Sequence, residues 1–273
     1  MPRHAAPNTH STPSTRWAWT GAGLGLMLAL ITQAPAHWLA TALAQVSGQR
    51  LLLQDPQGTV WQGSAQWALN EGPLSQSHST ALPTRITWQL APRWDFAHWR
   101  PTLSASVSAA CCTPQPVRMD VSPLWRGLRV QVHNHTSQWP AHWLVGLGAP
   151  WNTVQPEGTL QIETRQLQWT QQADTTQLLG QAELQLQQLT TRLSTLRPLG
   201  SYRVRMMGGE APVAIELDTL EGSLRLTGSG QLVQGHLRFN GEASAAPDAE
   251  AALSNLLNIL GERQGAKSIL KMG

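Results

Sequence analysis

The longest apolar run of the chain lies close to its N-terminus. Residues Ala22–Ile31 contain no charged or strongly polar side chain, and softer flanks extend the run from Trp17 to Ala36. A helix needs about 20 largely apolar residues to cross the hydrocarbon core of a bilayer, and residues 17–37 meet that length. The pattern therefore predicts a single N-terminal transmembrane anchor, with its most apolar positions at Ala22, Leu24, Leu26, Leu28, Leu30 and Ile31.

The charges around this run indicate its orientation. Arg3 and Arg16 precede it without any carboxylate, and positive residues favour the cytoplasmic side of a membrane. Residues 1–16 are therefore predicted to form a cytoplasmic tail, and the chain beyond residue 37 is predicted to lie outside the cytoplasm. A basic lead, a short apolar core and the small-residue exit at Ala34-Pro35-Ala36 also fit a cleavable signal peptide. The long polar lead favours an uncleaved anchor.

Short stretches of alternating apolar and polar residues fill most of the remaining chain. Gly158–Glu163 and Gly180–Leu189 show the period of two that is typical of a strand with one buried and one solvated face. Similar stretches predict further strands at residues 49–54, 59–68, 85–90, 103–109, 117–121, 127–136, 202–206, 213–217, 222–227 and 231–239. Turns are predicted at 55–58 and 227–230. We therefore expect a mainly β protein built on a curved antiparallel sheet.

One segment beyond the anchor has helical periodicity. Its leucines recur on one helix face, at Leu253, Leu256, Leu257 and Leu260. Pro247 suits the first helical position, and Gly261 supplies a stop. The sequence therefore predicts a C-terminal amphipathic helix that packs on the sheet. A shorter helix or a single helical turn is predicted at Trp139–Leu147.

Tryptophan usage divides the chain into two parts. The chain has 13 Trp, of which Trp169 is the last, whereas carboxylates become common only after about residue 150. We therefore predict a Trp-rich β subregion at residues 45–150 and a β-meander with a C-terminal helix at residues 156–273. With few Phe and Tyr residues available, the tryptophans are expected to be core residues. An aromatic ligand groove is the alternative.

Composition and motifs exclude several classes of function. The chain has 273 residues, 13% of them charged, a net charge of +3 and an isoelectric point of about 9.4. Its lysines and arginines are scattered singly, so we expect no nucleic-acid partner. The sequence contains no phosphate-binding loop, zinc-protease motif or nucleophile motif. We therefore predict no catalytic residue, no cofactor, no metal site and no small-molecule substrate.

Two pairs of residues remain as candidate chemistry. His133 and His135 would lie on one face of a predicted strand, but no cysteine or carboxylate stands near them in sequence, so we predict exposed histidines rather than metal ligands. Cys111 and Cys112 are adjacent and are the only cysteines. In an oxidising compartment a strained disulfide between them, a link to another chain and two free thiols all remain open.

Several short motifs, taken in their order, resemble a known family. They are Gly58–Gly63, Leu196–Tyr202, Leu220–Gly230, Leu237–Ala243 and Leu253–Arg263. Together they are similar to protein N of the bacterial type II secretion system. The resemblance implies a single-pass protein of the bacterial inner membrane with a C-terminal domain in the periplasm. It also implies an accessory role in the apparatus that exports folded proteins through the outer membrane, with other subunits of that apparatus as partners.

The expected role is therefore non-catalytic support of the assembly or stability of the secretion apparatus. Unpaired strand edges are natural docking sites, and we predict a docking edge at residues 222–239, with Leu224, Leu226, Leu237 and Phe239. A periplasmic lipid-handling module with an apolar β-sheet groove is the alternative, and an apolar trough that the helix leaves uncovered would favour it. A cell-wall hydrolase is a third alternative and would require convergent carboxylates or a metal.

Overall fold

The structure is a computed structural model, which describes residues 15–72, 79–96, 99–173, 175–209, 212–233 and 236–273. Residues 1–14, most of the predicted cytoplasmic tail, lie outside the described residues, and so do residues 73–78. Two helices precede the strands, α1 (Thr15–Thr32) and α2 (Ala36–Val46). One sheet follows them and takes up most of the remaining described chain.

Beyond α2 the chain consists mostly of consecutive strands, with a few short helices between them. The first part contains β1 (Leu51–Gly58), β2 (Gln62–Leu69), β3 (Thr80–Asp95), β4 (Arg100–Ala109), β5 (Val117–Leu124), β6 (Gly127–Val132), β7 (His135–Pro140), a 3-10 helix (Ala141–Leu147) and α3 (Trp151–Val154). The second part contains β8 (Glu157–Gln172), β9 (Thr175–Thr190), β10 (Gly200–Gly208), β11 (Val213–Gly222), β12 (Leu224–Val233), β13 (His236–Ala245), α4 (Glu250–Leu260), β14 (Glu262–Gln264) and β15 (Lys267–Met272). The expectation of a mainly β protein is confirmed.

The strands of the described chain form a single antiparallel sheet in nearly sequential order. The order runs from β1 to β6, then β8 to β13, and ends β15–β14, while β7 pairs with β8 beside β6. Sequential pairing follows from the short connections, because antiparallel neighbours need only a tight turn between them. The sequence predicts a boundary between two subregions near residues 150–156. The strands before and after these residues belong to the same sheet, because β6 and β7 both pair with β8.

The first predicted turn is displaced along the chain. β1 continues through residues 55–58, and the chain reverses at residues 59–61, where the Thr59 amide donates to the Gln62 carbonyl oxygen at 2.9 Å. Asp55 has a positive φ of 47°, and the pairing register shifts between Gln54 and Gln57. The turn-forming residues Asp55 and Pro56 therefore produce a bulge within the strand rather than its end.

The second predicted turn is also wrong. Residues 227–230 lie in the middle of β12 instead of between two strands. The Phe239 ring lies over the glycines here, since a Cβ on Gly228, Gly230 or Gly241 would collide with it. Because these glycines have no side chain, the Phe239 ring of the neighbouring strand can pack directly against their backbone. They do not form a turn.

The N-terminal apolar segment is divided into two helices instead of one. α1 ends at Thr32, and α2 begins after Pro35, which has no N–H to continue the helix and pairs as an isolated bridge with Thr59. The predicted single segment at residues 17–37 is therefore wrong in its C-terminal part. No helix in the described chain is both long and apolar enough to cross a membrane.

The predicted C-terminal helix is confirmed as α4, although it begins at Glu250 rather than at Pro247. Leu253, Leu256 and Leu257 are buried. Beyond Gly261 the chain forms β14 and β15, which the sequence pattern did not predict. β15 pairs with β13 and extends the sheet beneath the helix, so that α4 packs on strands that follow it as well as on one that precedes it.

Apolar residues are buried in two separate clusters on the sheet. The first core lies beneath α2 and the 3-10 helix and includes Ala36, Ala65, Leu82, Ile86, Trp88, Ala109, Cys112, Trp139 and Leu160. The second core lies beneath α4 and includes Leu189, Leu199, Tyr202, Leu224, Ala243, Leu253, Leu256 and Leu257. Each core thus combines one sheet region with its own helical cover.

Candidate functional site

The two faces of the sheet differ sharply in character. Successive side chains of a strand point to opposite faces, so one face can be polar and the other apolar along the whole sheet. On the polar face Arg203 Nε lies 3.2 Å from Glu183 Oε1. On the same face Arg205 Nη2 lies 3.1 Å from Glu216 Oε2 and 3.0 Å from Asp218 Oδ2. These ion pairs cover the middle strands with solvated charge.

The opposite face carries apolar residues in continuous rows across the strands. Residues paired directly across antiparallel strands project on the same face. One row crosses six strands in register, from β3 to β6 and on through β8 and β9, and consists of Pro92, Leu103, Val121, Val130, Trp169 and Leu178. A second row beside it consists of Leu90, Ala105, Met119, Val132 and Leu167. We call these two rows, together with their continuation across β9 to β13, the apolar rows.

The apolar rows continue into the second half of the sheet. Leu184 pairs with Val204, which pairs with Leu217, and beside them Ala182, Met206 and Ile215 are aligned in the same way. A further row crosses β11, β12 and β13 at Val213, Leu232 and Leu237. The same face that is buried beneath the helices therefore remains apolar well beyond them.

The helices leave much of this face without cover. Their main contacts are those of α2 with β1 and β2, of the 3-10 helix with β2, β3 and β8, and of α4 with β13, β14 and β15. In the described chain, Leu103, Val121 and Val130 belong to neither core and are only half-buried. Because apolar side chains gain free energy on leaving water, a surface of this kind is expected to be covered by something else.

One end of the apolar face is marked by exposed aromatic residues. Trp94 projects from β3 near the row that begins at Pro92 and is 49% exposed. Phe96 and Trp99, in the turn between β3 and β4, are 73% and 76% exposed. Trp125, in the turn between β5 and β6, is 88% exposed. These large apolar side chains lie at the ends of strands and contribute to neither core in the described structure.

Helix α1 joins the sheet at the same end. The antiparallel order places the β1–β2 turn at the end of the strands that also carries the β3–β4 and β5–β6 turns. Trp61 Nε1, in the β1–β2 turn, donates to the Ile31 carbonyl oxygen at 2.7 Å. The Val60 amide donates to the Ala34 carbonyl oxygen, also at 2.7 Å. The junction between α1 and α2 is therefore fixed to this end of the sheet.

A family model described as type II secretion system (T2SS), protein N, matches residues 49–269. The chain belongs to this family. The match begins just before β1 and ends within β15, so it includes the apolar rows, the second core and all of the first core except Ala36. The resemblance seen in the sequence motifs is thus confirmed. No curated protein and no solved structure matches the chain.

The docking edge that the sequence predicts at residues 222–239 is not an edge. β12, which carries Leu224 and Leu226, pairs with β11 on one side and β13 on the other. β13, which carries Leu237 and Phe239, pairs with β12 and β15. β15, which the sequence pattern did not predict, pairs with the side of β13 that was expected to be free. Leu224 and Phe239 are buried, since they pack in the interior of the sheet.

The two outer edges of the described sheet are formed by β1 and β14, and inside the sheet β7 pairs with β8 alone. β1 contains Pro56 and a bulge, and β14 has only three residues, all exposed. Short strands, prolines and bulges all weaken the pairing of an edge with another chain. Strand addition is therefore disfavoured at both edges of this member of the family.

The tryptophans are divided between core and surface. Trp67, Trp139 and Trp143 pack together in the first core, with ring centres 4.9 to 5.8 Å apart. The prediction that tryptophans are core residues is confirmed for these three and for Trp88. It is wrong for the exposed Trp94, Trp99 and Trp125, which the sequence pattern does not distinguish from buried ones.

The predicted histidine pair is separated by a break between strands. His133 follows the end of β6, and His135 begins β7, so they do not share one strand as the sequence predicts. His133 Nε2 lies 2.7 Å from Asp120 Oδ2. Partial burial would raise the pKa of Asp120, but hydrogen bonds with Ser104 and His133 and nearby positive charge outweigh it and hold the pKa below its usual value. Desolvation lowers the pKa of His135.

The remaining candidate chemistry is limited. Cys111 and Cys112 are joined by a disulfide, with Cα atoms 3.7 Å apart, at the connection that follows β4. Within the described residues, no group of three or more His, Cys, Asp or Glu side chains is placed to hold a metal ion. The arrangement that the structure does provide is a sheet with one charged face and one apolar face.

Proposed function

We propose that this protein is a non-catalytic accessory subunit of the type II secretion system. It supports the assembly or stability of the machinery that exports folded proteins across the outer membrane. The observation that carries this proposal is the family match over residues 49–269. A sheet with two extended faces and no linked catalytic motif in the sequence supports a role exerted through contact with other subunits.

We further propose that α1 inserts its apolar residues into the bacterial inner membrane, although no described helix is both long and apolar enough for a full span, and that the sheet lies in the periplasm. Leu24, Leu26 and Leu28 of α1 are more than 60% exposed, so the helix has an apolar surface with no cover from the described sheet. Arg3 and Arg16 precede this apolar stretch, which favours a cytoplasmic N-terminus. The proposal also retains residues 1–16 in the mature protein, and N-terminal sequencing of membrane-bound protein tests that point.

The polar face of β8 to β11 is the proposed docking surface for partner subunits. Strand addition at β1 and β14 is opposed by their bulge, proline and short length. The polar face instead offers the ion pairs of Glu183, Arg203 and Arg205, which a partner of complementary charge can recognise. This assignment replaces the docking edge that the sequence predicts.

Deletion and photo-crosslinking in the native bacterium test the proposal. Loss of the protein is expected to reduce secretion of type II substrates, leaving them folded in the periplasm, and the full chain should restore it. A photoreactive residue at Gln181, exposed on the polar face of β9, should capture a partner subunit. The matched control is Asn258, exposed on the outer side of α4. Normal secretion after deletion, with no partner captured from Gln181, would contradict the secretion role.

A second candidate function, a lipid-handling module, is favoured by one specific observation. The helices leave the apolar rows uncovered from β4 to β6, and an uncovered apolar surface is the feature expected of a lipid-handling module. The two functions are compatible, because docking uses the polar face and lipid binding would use the opposite one.

A further inference from the structure

We propose that the apolar rows bind the acyl chains of membrane phospholipids, which reach them from the end of the sheet where α1 is attached. This inference deepens the lipid-handling candidate. The binding site itself does not depend on the secretion role, whereas the route by which lipid arrives rests on the proposed placement of α1 in the membrane.

The chemistry of the apolar rows favours hydrocarbon over an extended polypeptide. The row formed by Leu103, Val121 and Val130 offers no side-chain hydrogen-bond donor or acceptor, and its strands already pair on both sides. An extended polypeptide laid across this face would bring backbone N–H and C=O groups that the face cannot satisfy, and leaving such groups unpaired is costly. An acyl chain has no such groups and gains free energy from every methylene removed from water.

The dimensions of the rows fit such a ligand. Neighbouring strands lie about 4.8 Å apart, so a row across six strands extends about 24 Å. Half of a bilayer core of about 30 Å is about 15 Å, which is the length an acyl chain covers in one leaflet. One row is therefore long enough for an acyl chain. The second row beside it makes the surface wide enough to shield that chain from one side.

The end of the sheet near α1 has the composition of a membrane interface. Trp94, Trp99 and Trp125 are exposed there, and tryptophan is enriched where a protein meets the headgroups of a bilayer. Residues 93–100 and 124–128 contain three arginines and one carboxylate. Arginine binds phosphate through paired hydrogen bonds, so these residues complement a phospholipid headgroup.

The position of Trp94 links the interface to the rows. It projects from β3 on the same face as Pro92, because residues two apart on a strand share a face. Pro92 begins the row that continues through Leu103 and Val121. Apolar surface therefore runs without interruption from the aromatic end, where α1 is attached, to the middle of the sheet. A lipid that leaves the bilayer at this end meets the rows without crossing a polar surface.

Photolabelling of the full-length protein tests this site. The protein is reconstituted in vesicles of phosphatidylethanolamine and phosphatidylglycerol that contain a phospholipid with a photoreactive group at the end of one acyl chain. After irradiation, labelled peptides are mapped by mass spectrometry. We expect label on the apolar rows, at Val121, Val130 and Trp169, in addition to α1. Label confined to α1, or distributed equally over polar-face residues such as Gln131, would overturn the proposal.

A pair of adjacent substitutions provides the matched control. Val130→Asp places a carboxylate in the first row, and Gln131→Asp places one on the opposite, exposed face of the same strand. We expect Val130→Asp to reduce labelling of the sheet about tenfold or more, because a carboxylate against hydrocarbon loses hydration. Gln131→Asp should leave labelling unchanged. The label map of the unmodified protein decides the question even if Val130→Asp does not fold.

A second copy of the chain is the competing occupant. If sedimentation in detergent shows a dimer that Val130→Asp converts to a monomer, and the rows take no lipid label, then two copies cover each other and the proposal is wrong. Measuring the secretion of type II substrates by the Val130→Asp strain distinguishes the lipid-site proposal from the proposed secretion role. Lost row labelling with normal secretion contradicts a link between lipid and export, whereas absent row labelling in the unmodified protein contradicts the lipid site alone.

Discussion

Two regions of one sheet face show how similar residues come to serve as core or as surface. Ala65, Ile86 and Leu160 lie beneath α2 and the 3-10 helix and are buried. Val121 and Val130 are equally apolar and lie on the same face, but they are only half-buried because no helix packs over them in the described structure. Helical cover, rather than residue type, separates the two regions. Their response to an introduced charge should therefore differ.

The largest expected effect lies in the covered region. Leu256 is 2% exposed in the second core, so Leu256→Asp would bury an unpaired carboxylate between α4 and the sheet. We expect it to destabilise the protein by about 4 kcal/mol or more, which is enough to unfold many domains. Denaturant unfolding followed by circular dichroism measures this. Asn258→Asp on the exposed side of α4 is the control and should change stability little.

The next effect concerns a part of the face that is covered by an aromatic ring instead of a helix. Phe239 packs over Gly228 of the neighbouring strand, and a Cβ at that glycine would collide with the ring. Gly228→Ala should therefore destabilise the protein by about 1 to 3 kcal/mol through overpacking. Ser229→Ala, exposed on the other face of β12, should not. Equal denaturation midpoints for the two variants would show that the ring moves aside freely.

A charge in the uncovered region should be much better tolerated. Met206 lies on the apolar face and Met207 on the polar face of β10. In detergent-free protein we expect Met206→Asp to cost about 1 kcal/mol, because water still reaches the new carboxylate. Met207→Asp should be nearly neutral. A loss as large as that of Leu256→Asp would mean that this part of the face is covered after all.

The smallest effect is expected on the polar side of the strand that carries the uncovered rows. Asp120 lies on β5 between Met119 and Val121, and its pKa is lowered by hydrogen bonds with Ser104 and His133 that outweigh burial. Asp120→Asn should therefore cost up to about 1 kcal/mol at neutral pH. A carboxylate with a lowered pKa stabilises the fold above its unfolded pKa, near 3.8, and loses that contribution as the pH falls through the folded value.

Urea titrations of the Asp120→Asn variant and the unmodified protein at several pH values test this prediction. The two stability curves should be separated at neutral pH and converge as the pH falls through the lowered pKa of Asp120, where the carboxylate of the unmodified protein becomes protonated. Ser122→Ala on the same face of β5 controls for simple loss of a strand side chain. A difference that grows as the pH falls would show that the sign assigned to Asp120 is wrong.

Local patterns were sufficient to predict most strands and the C-terminal helix. Alternation at Gly180–Leu189 and leucine spacing at Leu253–Leu260 report which side of an element faces apolar surroundings, and those surroundings are the sheet and its helix. The patterns were misleading where one residue type is common in two different structures, a turn and the interior of a strand. Gly228 and Gly230 are typical of a turn, yet they accommodate the Phe239 ring within a strand.

The candidate site was less accessible to sequence reasoning. The apolar residues of β5 and β6 were recognisable as one face of a strand, but nothing local indicated whether a helix would cover them. The predicted docking edge was wrong because β15, more than 20 residues beyond β13, returns to pair with it. Cover and strand neighbours are long-range properties, so a pattern with a period of two or of 3.6 residues carries no information about them.

The sequence was enough to recognise three properties, namely the two-faced character of the strands, the apolar N-terminal segment and membership of the type II secretion protein N family. These properties are local or follow from ordered motifs. The folded structure was needed to establish which part of the apolar face is core, which strands are edges and that α1 joins the aromatic end of the sheet. The physical reason is that burial depends on contacts between residues far apart in the chain, which exist only after the sheet has formed.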